Sequence, residues 1–173
     1  MRLTEIDNLD DEEAYEVFLG CCGSTLWARL MLRDRPFRTS ERFHLAADRC
    51  FDDLDKDDWL EAFAAHPKLG DLDSLRMKFA GNQQWSAGEQ SGVKGADLGT
   101  IEALARGNTE YEQAFGYIFI LCATGVSADQ MLARLNERLN NPPGRELSVA
   151  AEQQRRITHL RIDKLLGILG SRD

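Results

Sequence analysis

Glu146-Leu147-Ser148-Val149-Ala150-Ala151-Glu152-Gln153-Gln154-Arg155-Arg156-Ile157-Thr158-His159-Leu160-Arg161-Ile162-Asp163-Lys164-Leu165-Leu166-Gly167-Ile168-Leu169 is the stretch that decides how this chain is built. With Ile157 as zero on the helical period, Ile157, Arg161, Leu165 and Ile168 fall at about 0°, 40°, 80° and 20°, and Glu152, Arg156, His159 and Asp163 gather near about 200–260°. An apolar arc opposed to a charged face predicts an amphipathic helix over 146–169. Arg161 breaks the pattern by lying inside the apolar arc. A guanidinium there needs an anionic partner, because an unpaired buried charge is costly. That partner is either a structural carboxylate or a carboxylate or carbonyl of a substrate, and the spacing leaves both open.

The rest of the chain carries the same period. Its four prolines, Pro36, Pro67, Pro142 and Pro143, act as punctuation. Leu9-Asp10-Asp11-Glu12-Glu13 reads as a helix start with acids in the first turn, and the helix carries Ala14, Phe18 and Cys21/Cys22. Gly23-Ser24 breaks it, and Ser24 caps a second helix through Trp27, Leu30 and Met31, which ends before Pro36. Ser40 is the expected cap of a third helix with Phe43, Ala46/Ala47 and Cys50. Asp55-Lys56-Asp57-Asp58 opens a fourth, from Trp59 to about His66; its acids lack EF-hand spacing and suit the helix dipole. Thr109-Glu110-Tyr111-Glu112 fits a capping box that would start a central helix through Phe115, Ile118, Phe119 and Cys122, stopped by Gly125. Ser127-Ala128-Asp129-Gln130 is another box, before Leu132, Leu135 and Leu139, and Pro142-Pro143-Gly144 is a turn. No strand pattern competes, and the expected fold is all-α: a single-domain compact helical bundle over residues 1–173. One segment resists, a long Gly/Gln/Ser-rich loop from Gly81 to Gly99. Loops of that length inside a small domain are usually functional or disordered.

Composition narrows the functions. The 173 residues are 43% hydrophobic and 29% charged, as in ordinary globular domains. A net charge of −8 repels phosphate backbones and argues against nucleic acid as a partner. No apolar run approaches a membrane span, and Met1 to Asp7 lacks a signal peptide's apolar region, so a cytoplasmic protein without a membrane partner is expected. Gly170-Ser171-Arg172-Asp173 is not a peroxisomal signal. Cys21, Cys22, Cys50 and Cys122 show neither CxxC nor zinc spacing and read as small buried apolar side chains. His44, His66 and His159 have no i,i+4 partner, so no metal site is expected. Nucleotide, metalloprotease and nucleophile-elbow motifs are missing too, so any chemistry falls to side chains alone.

Two further residues are candidates. Trp59, Phe63 and His66 fall at i, i+4 and i+7, which puts His66 on a core-facing stripe at a helix C-terminus. The dipole there favours imidazolium and burial opposes it, a balance that suits an acid–base catalyst. The plainer alternative is a hydrogen-bonded, helix-ending histidine. Glu89 lies with Ser86 and Gln90 in the Gly-rich loop, where a carboxylate, a hydroxyl and an amide suit a polar small molecule, although a loop glutamate is ordinarily just solvated.

Five blocks then resemble one family, in order and in register over roughly residues 9 to 169. They are Phe18-Leu19-Gly20-Cys21-Cys22-Gly23-Ser24-Thr25-Leu26-Trp27-Ala28 with Arg35-Pro36-Phe37; Asp58-Trp59-Leu60-Glu61-Ala62-Phe63-Ala64-Ala65-His66-Pro67-Lys68-Leu69-Gly70-Asp71; Ser86-Ala87-Gly88-Glu89-Gln90; Phe115-Gly116-Tyr117-Ile118-Phe119-Ile120-Leu121-Cys122-Ala123-Thr124-Gly125; and Ile157-Thr158-His159-Leu160-Arg161-Ile162. The sequence resembles the 2-oxo-4-hydroxy-4-carboxy-5-ureidoimidazoline (OHCU) decarboxylases of urate degradation. The resemblance implies an all-helical fold, no cofactor, OHCU as substrate, (S)-allantoin as product and a homodimer. It implies a catalytic His66 with Pro67 beside the ligand, and ligand-binding Ser86, Glu89 and Gln90, with Glu89 also catalytic. It also implies a pocket lined by the backbone of Phe119, Ile120, Leu121, Cys122 and Ala123 within a core helix, and a ligand-contacting Arg161. Val126 departs from the family's pattern, standing where a basic residue is expected. Three other readings stay open: a helical partner-binding adaptor, in which His66, Glu89 and Arg161 would be scattered or exposed; a related decarboxylase with a shifted ureido-acid substrate; and a thiol hydrolase pairing Cys122 with His66.

Overall fold

A computed structural model of the chain describes residues 1–66 and 98–168. Among these residues there are eight helices and no strand: α1 (Leu3–Asn8), α2 (Asp11–Cys22), α3 (Thr25–Arg33), α4 (Ser40–Asp52), α5 (Lys56–Ala64), α6 (Leu98–Phe115), α7 (Ala128–Arg138) and α8 (Pro143–Leu165). The fold is all-α, as the periodicity predicts. None of these helices is long and apolar enough to cross a membrane. Pro67, Ser86, Glu89, Gln90 and the loop from Gly81 to Asp97 lie outside the described residues.

Local chemistry explains most boundaries. The Asp10 side chain accepts from the Glu13 N–H and opens α2. Ser24 accepts from the Trp27 N–H and opens α3. Asp55 and Asp58 form a reciprocal box at α5, as do Ser127 and Gln130 at α7. Gly23, at φ +87°, ends α2 with its N–H on the Leu19 carbonyl. Three boundaries differ from expectation by a residue or a few. The cap of α4 is Thr39, with Ser40 as its first residue; α5 begins at Lys56; and α8 begins at Pro143, whose missing N–H costs nothing in a first turn. The short α1 carries no long apolar stripe and was not foreseen.

The expected central helix through Phe115 to Cys122 is corrected. Helix α6 starts at Leu98, two residues inside the predicted loop, and stops at Phe115. Thr109 sits mid-helix, its hydroxyl donating to the Ala105 carbonyl, so its box caps nothing. Gly116, at φ +81°, gives its N–H to the Glu112 carbonyl and closes the helix in the left-handed conformation. The following Ile118, Phe119 and Ile120 lie outside any helix, because a short apolar run does not by itself specify a helix.

The chain forms two units. One contains residues 1–66, Ile120–Cys122 and the chain from Leu147 onward. Its core holds Phe18, Trp27, Met31, Phe43, Phe63 and Ile162. Phe37 stacks on Phe43 at 4.4 Å, and Phe18 meets both edge-on. The Trp27 indole N–H donates to the Ala47 carbonyl and ties α3 to α4. The charged face of α8 is covered at His159 and Asp163, while Glu152 and Arg156 stay exposed. His159 Nε2 lies 2.8 Å from Asp48, His44 Nε2 lies 3.0 Å from Asp163, and the two rings stack at 4.9 Å. Arg155 pairs with Asp48 and Asp52 and lies over the Phe51 ring. Polar seams of this kind look like a wet surface in a hydropathy pattern.

The other unit contains residues 67–119 and 123–146. Within it, α6 packs on α7 through Ile101, Leu104, Met131 and Leu135. Gly107 sets the spacing: a Cβ there would lie 2.6 Å from Leu135 Cδ2. The core of this unit includes an ion pair. Arg138 reaches Glu146 at 2.6–2.7 Å, Tyr111 donates its hydroxyl to the same carboxylate, and Asn141 donates to the second oxygen at 2.7 Å. The guanidinium also lies 4.5 Å over the Phe119 ring. Burial, together with the Glu146 bond, pushes the Tyr111 hydroxyl above its ordinary value of 10. Removing Glu146 strands a buried cation, so Glu146→Ala should lose about 3–5 kcal/mol in urea denaturation. A loss under about 1 kcal/mol would mean that water replaces the carboxylate.

Candidate active site

The site is built where the C-terminal ends of α2 and α5 meet one face of α8. The final turn of α2 leaves carbonyls with no helical partner. Gly23 closes that helix, and its missing side chain matters beyond φ: a Cβ there would stand 2.6 Å from Ala65 Cβ. The contact lets the end of α5 come in against the end of α2. Ala65 caps α5, and His66 follows, its N–H on the Phe63 carbonyl. Phe63 is 1% exposed and anchors this end, while His66 is half-buried.

Helix α8 supplies the facing side chains. Gln154 and Arg161, two turns apart, claim the α2 carbonyls. Gln154 donates to the Cys22 carbonyl at 2.9 Å; Arg161 donates to those of Cys21 at 3.2 Å and Gly20 at 3.5 Å. A guanidinium at a helix C-terminus also meets the negative end of the dipole. Both side chains reach His66. Its Nε2 lies 2.6 Å from Gln154 Oε1, and its Nδ1 lies 3.5 Å from Arg161 Nη2. Among the described residues no carboxylate is within ion-pair distance of Arg161, so its fixed partners there are carbonyls and an imidazole. A surface cavity of about 490 Å³ opens beside Arg161, walled by Leu19, Gly20, Gly23, Glu61 and Ala65. The described residues gather no group that could hold a metal ion.

Electrostatics follow from burial and charge. Burial pushes the His66 imidazole below its ordinary value of 6.5, the Arg161 charge pushes the same way, and the bond to Gln154 opposes both. His66 is therefore a neutral imidazole at pH 7, able to accept a proton. The buried thiols next door are driven the other way, Cys21 to about 12 and Cys22 to about 11.

The predicted site residues fall into three groups. His66 and Arg161 are brought together, as an enzyme requires and a scattered adaptor surface does not. Ile120, Leu121 and Cys122 belong to the same unit, with the Cys122 N–H on Gln153 Oε1 at 3.1 Å. No hydrogen bond joins Cys122 to His66 among the described residues, which removes the support for a thiol–imidazole pair. Phe119 and Ala123 are half-buried members of the other unit, as is Val126, whose N–H bonds the Ala123 carbonyl. Pro67, Ser86, Glu89 and Gln90 lie outside the described residues. Sequence reasoning missed Gln154, which is fully buried. Its signal was present: at about 60° on the α8 wheel it lies between Arg161 and Leu165, a second polar residue in the apolar arc.

The same all-α fold is found in a solved decarboxylase. Residues 7–163 match the OHCU decarboxylase family. The chain is 39% identical over 148 residues to the uric acid degradation bifunctional protein TTL of Arabidopsis thaliana, covering 84% of this chain and 45% of that protein. It is 27% identical over 174 residues to the 2-oxo-4-hydroxy-4-carboxy-5-ureidoimidazoline decarboxylase of Amia calva, covering 96% and 95%. A crystal structure of an OHCU decarboxylase in the presence of (S)-allantoin superimposes with a TM-score of 0.71 at 34% identity, covering 92% of this chain and 99% of that one. The structure of an (S)-allantoin synthase shares the fold, with a TM-score of 0.70 at 21% identity. The chain belongs to the OHCU decarboxylase family.

The depressed imidazole makes a measurable prediction. In a proton NMR titration of the free protein, His66 should titrate below 6.5, and Arg161→Gln should raise its midpoint by removing a neighbouring positive charge. Below pH 6.5 the unfolded chain binds a proton that native His66 refuses, so this group lowers stability as the pH falls from 6.5 toward the native midpoint. A midpoint unmoved by Arg161→Gln would show that the guanidinium does not face the ring in solution.

Proposed function

We propose that this chain decarboxylates OHCU to (S)-allantoin without a cofactor, acting as one catalytic domain. The observation that carries the proposal is the neutral His66 held beside Arg161 at 3.5 Å in a chain of this family. The relatives bear the same activity in their names. Because the chain spans 45% of the length of the bifunctional TTL protein, only the decarboxylase share of that protein's work is proposed here.

Substrate chemistry explains how side chains suffice. Loss of CO2 leaves an electron pair on the carbon that carried the carboxylate. In OHCU that carbon also bears a hydroxyl and adjoins an imine carbon, so the ring itself takes up the pair. His66 Nδ1 accepts the hydroxyl proton, and the C–C bond to the carboxylate breaks with release of CO2. Its electron pair forms a C=C bond to the former imine carbon, whose ring nitrogen takes a proton from solvent, and an enolate intermediate forms. Returning one proton to a single face of the neighbouring carbon gives one enantiomer. Arg161 would hold substrate carboxylate or carbonyl oxygens through paired N–H bonds. The family resemblance assigns Glu89, which would orient the ureido group or the imidazole, and Ser86, Gln90, Pro67 and the backbone of Phe119 to Ala123 to ligand binding. A cytoplasmic homodimer is part of the same proposal and rests on the family resemblance.

The test uses OHCU made fresh from urate with urate oxidase and hydroxyisourate hydrolase, followed by ultraviolet decay and product circular dichroism. Decay should be fast and yield optically active allantoin. His66→Ala should lose about 10²–10⁴-fold in rate, the usual worth of acid–base help. A folded protein that leaves the decay at its spontaneous rate would refute the substrate assignment. Normal stereospecific turnover by His66→Gln would refute the role of the imidazole.

A further inference from the structure

We propose that Gln154 is a positioning residue that locks His66 as the Nε2–H tautomer, leaving Nδ1 as the atom that takes the substrate proton. The inference rests on the decarboxylase reading above and deepens it.

The argument is a donor–acceptor count. The Cys22 carbonyl can only accept, so the group of Gln154 that faces it at 2.9 Å is the amide NH2. The Thr158 hydroxyl donates to the Gln154 backbone carbonyl at 3.0 Å, so its oxygen is turned to accept from the second amide N–H at 3.4 Å. Both amide hydrogens are thereby used. The oxygen, Oε1, is left facing His66 Nε2 at 2.6 Å and can only accept, so Nε2 carries the proton. Arg161 gives an independent constraint from the other side of the ring. Its Nη2 can only donate, and it stands 3.5 Å from Nδ1, so Nδ1 presents a lone pair.

The opposite tautomer would set two lone pairs against each other at 2.6 Å and two N–H groups against each other at 3.5 Å. Water does not reach the Gln154 amide, since Gln154 and Cys22 are 0% exposed and Thr158 is 2% exposed. The lock also keeps its sense through a turnover. When Nδ1 accepts a proton the ring becomes cationic, and the bond from Nε2–H to Gln154 becomes charge-assisted and stronger. Gln154 thus favours the protonated ring while Arg161 and burial disfavour it.

The decisive measurement is the nitrogen-15 NMR spectrum of the His66 ring in the full-length free protein above its midpoint. It does not depend on turnover. The proposal expects a protonated Nε2 and an unprotonated Nδ1; a protonated Nδ1, or an equal mixture, overturns it. In Gln154→Met the mixture should appear, and kcat should fall on the order of 10–10²-fold with KM changed less than about 3-fold. In Gln154→Glu the carboxylate still accepts from Nε2–H and stabilises the cation, so the acidic limb of kcat/KM should move to higher pH. An unmoved limb in a folded Gln154→Glu protein counts against the proposal. Failure of either variant to fold leaves the wild-type spectrum to decide. A wild-type protein with the expected tautomer but no turnover of OHCU would fault the substrate assignment and not the lock.

Discussion

The three carbonyls at the end of α2 are the constraint on which the site depends. A helix terminus must hand its last carbonyls to something, and here Gly20, Cys21 and Cys22 hand theirs to Arg161 and Gln154 of α8. Both side chains are long, polar and able to move. Fixed by backbone acceptors, they become a rigid mount for one imidazole. Gly23 makes the mount possible by turning the chain away in the left-handed conformation and by leaving room for Ala65, so that His66 arrives where those side chains already point. Nothing in this arrangement needs an acidic partner for the arginine. The dipole end of α2 supplies negative potential, and the guanidinium keeps donors available for an anion.

The second unit solves a similar problem by the opposite means. Arg138 is buried against a full carboxylate and shares it with Tyr111 and Asn141. A neutralised, fully bonded cation is a structural element, with no unspent charge to offer a ligand. Two buried or half-buried arginines in one small protein thus differ in what they can do, and the difference lies in their acceptors: carbonyls that leave the charge in place, or a carboxylate that cancels it.

Much of this was legible in the sequence. The capping residues Asp10, Ser24, Asp55 and Ser127 act locally, and each opens its helix as its chemistry requires. His66 and Arg161 stood out because polar groups on apolar stripes are expensive, and expense is visible in a helical wheel. What escaped was non-local. The run from Ile118 to Cys122 fits a helical stripe, but Gly116 stops α6 before it and leaves the run outside any helix. His159 and Asp163 look like a solvated face until Asp48 and His44 of α4 come against them. Gln154 was overlooked because glutamine is tolerated nearly anywhere on a helix; only its partners mark it as fixed.

The two adjacent cysteines at the α2 terminus carry a consequence for redox chemistry. With Cys21 near 12 and Cys22 near 11, the thiolate fraction at pH 7 is on the order of 10⁻⁵ and 10⁻⁴ respectively. Thiolate is the form that attacks peroxides, disulfides and soft electrophiles. The wall that carries the site's carbonyls therefore offers oxidants little thiolate, although it is built from the residue type most prone to them.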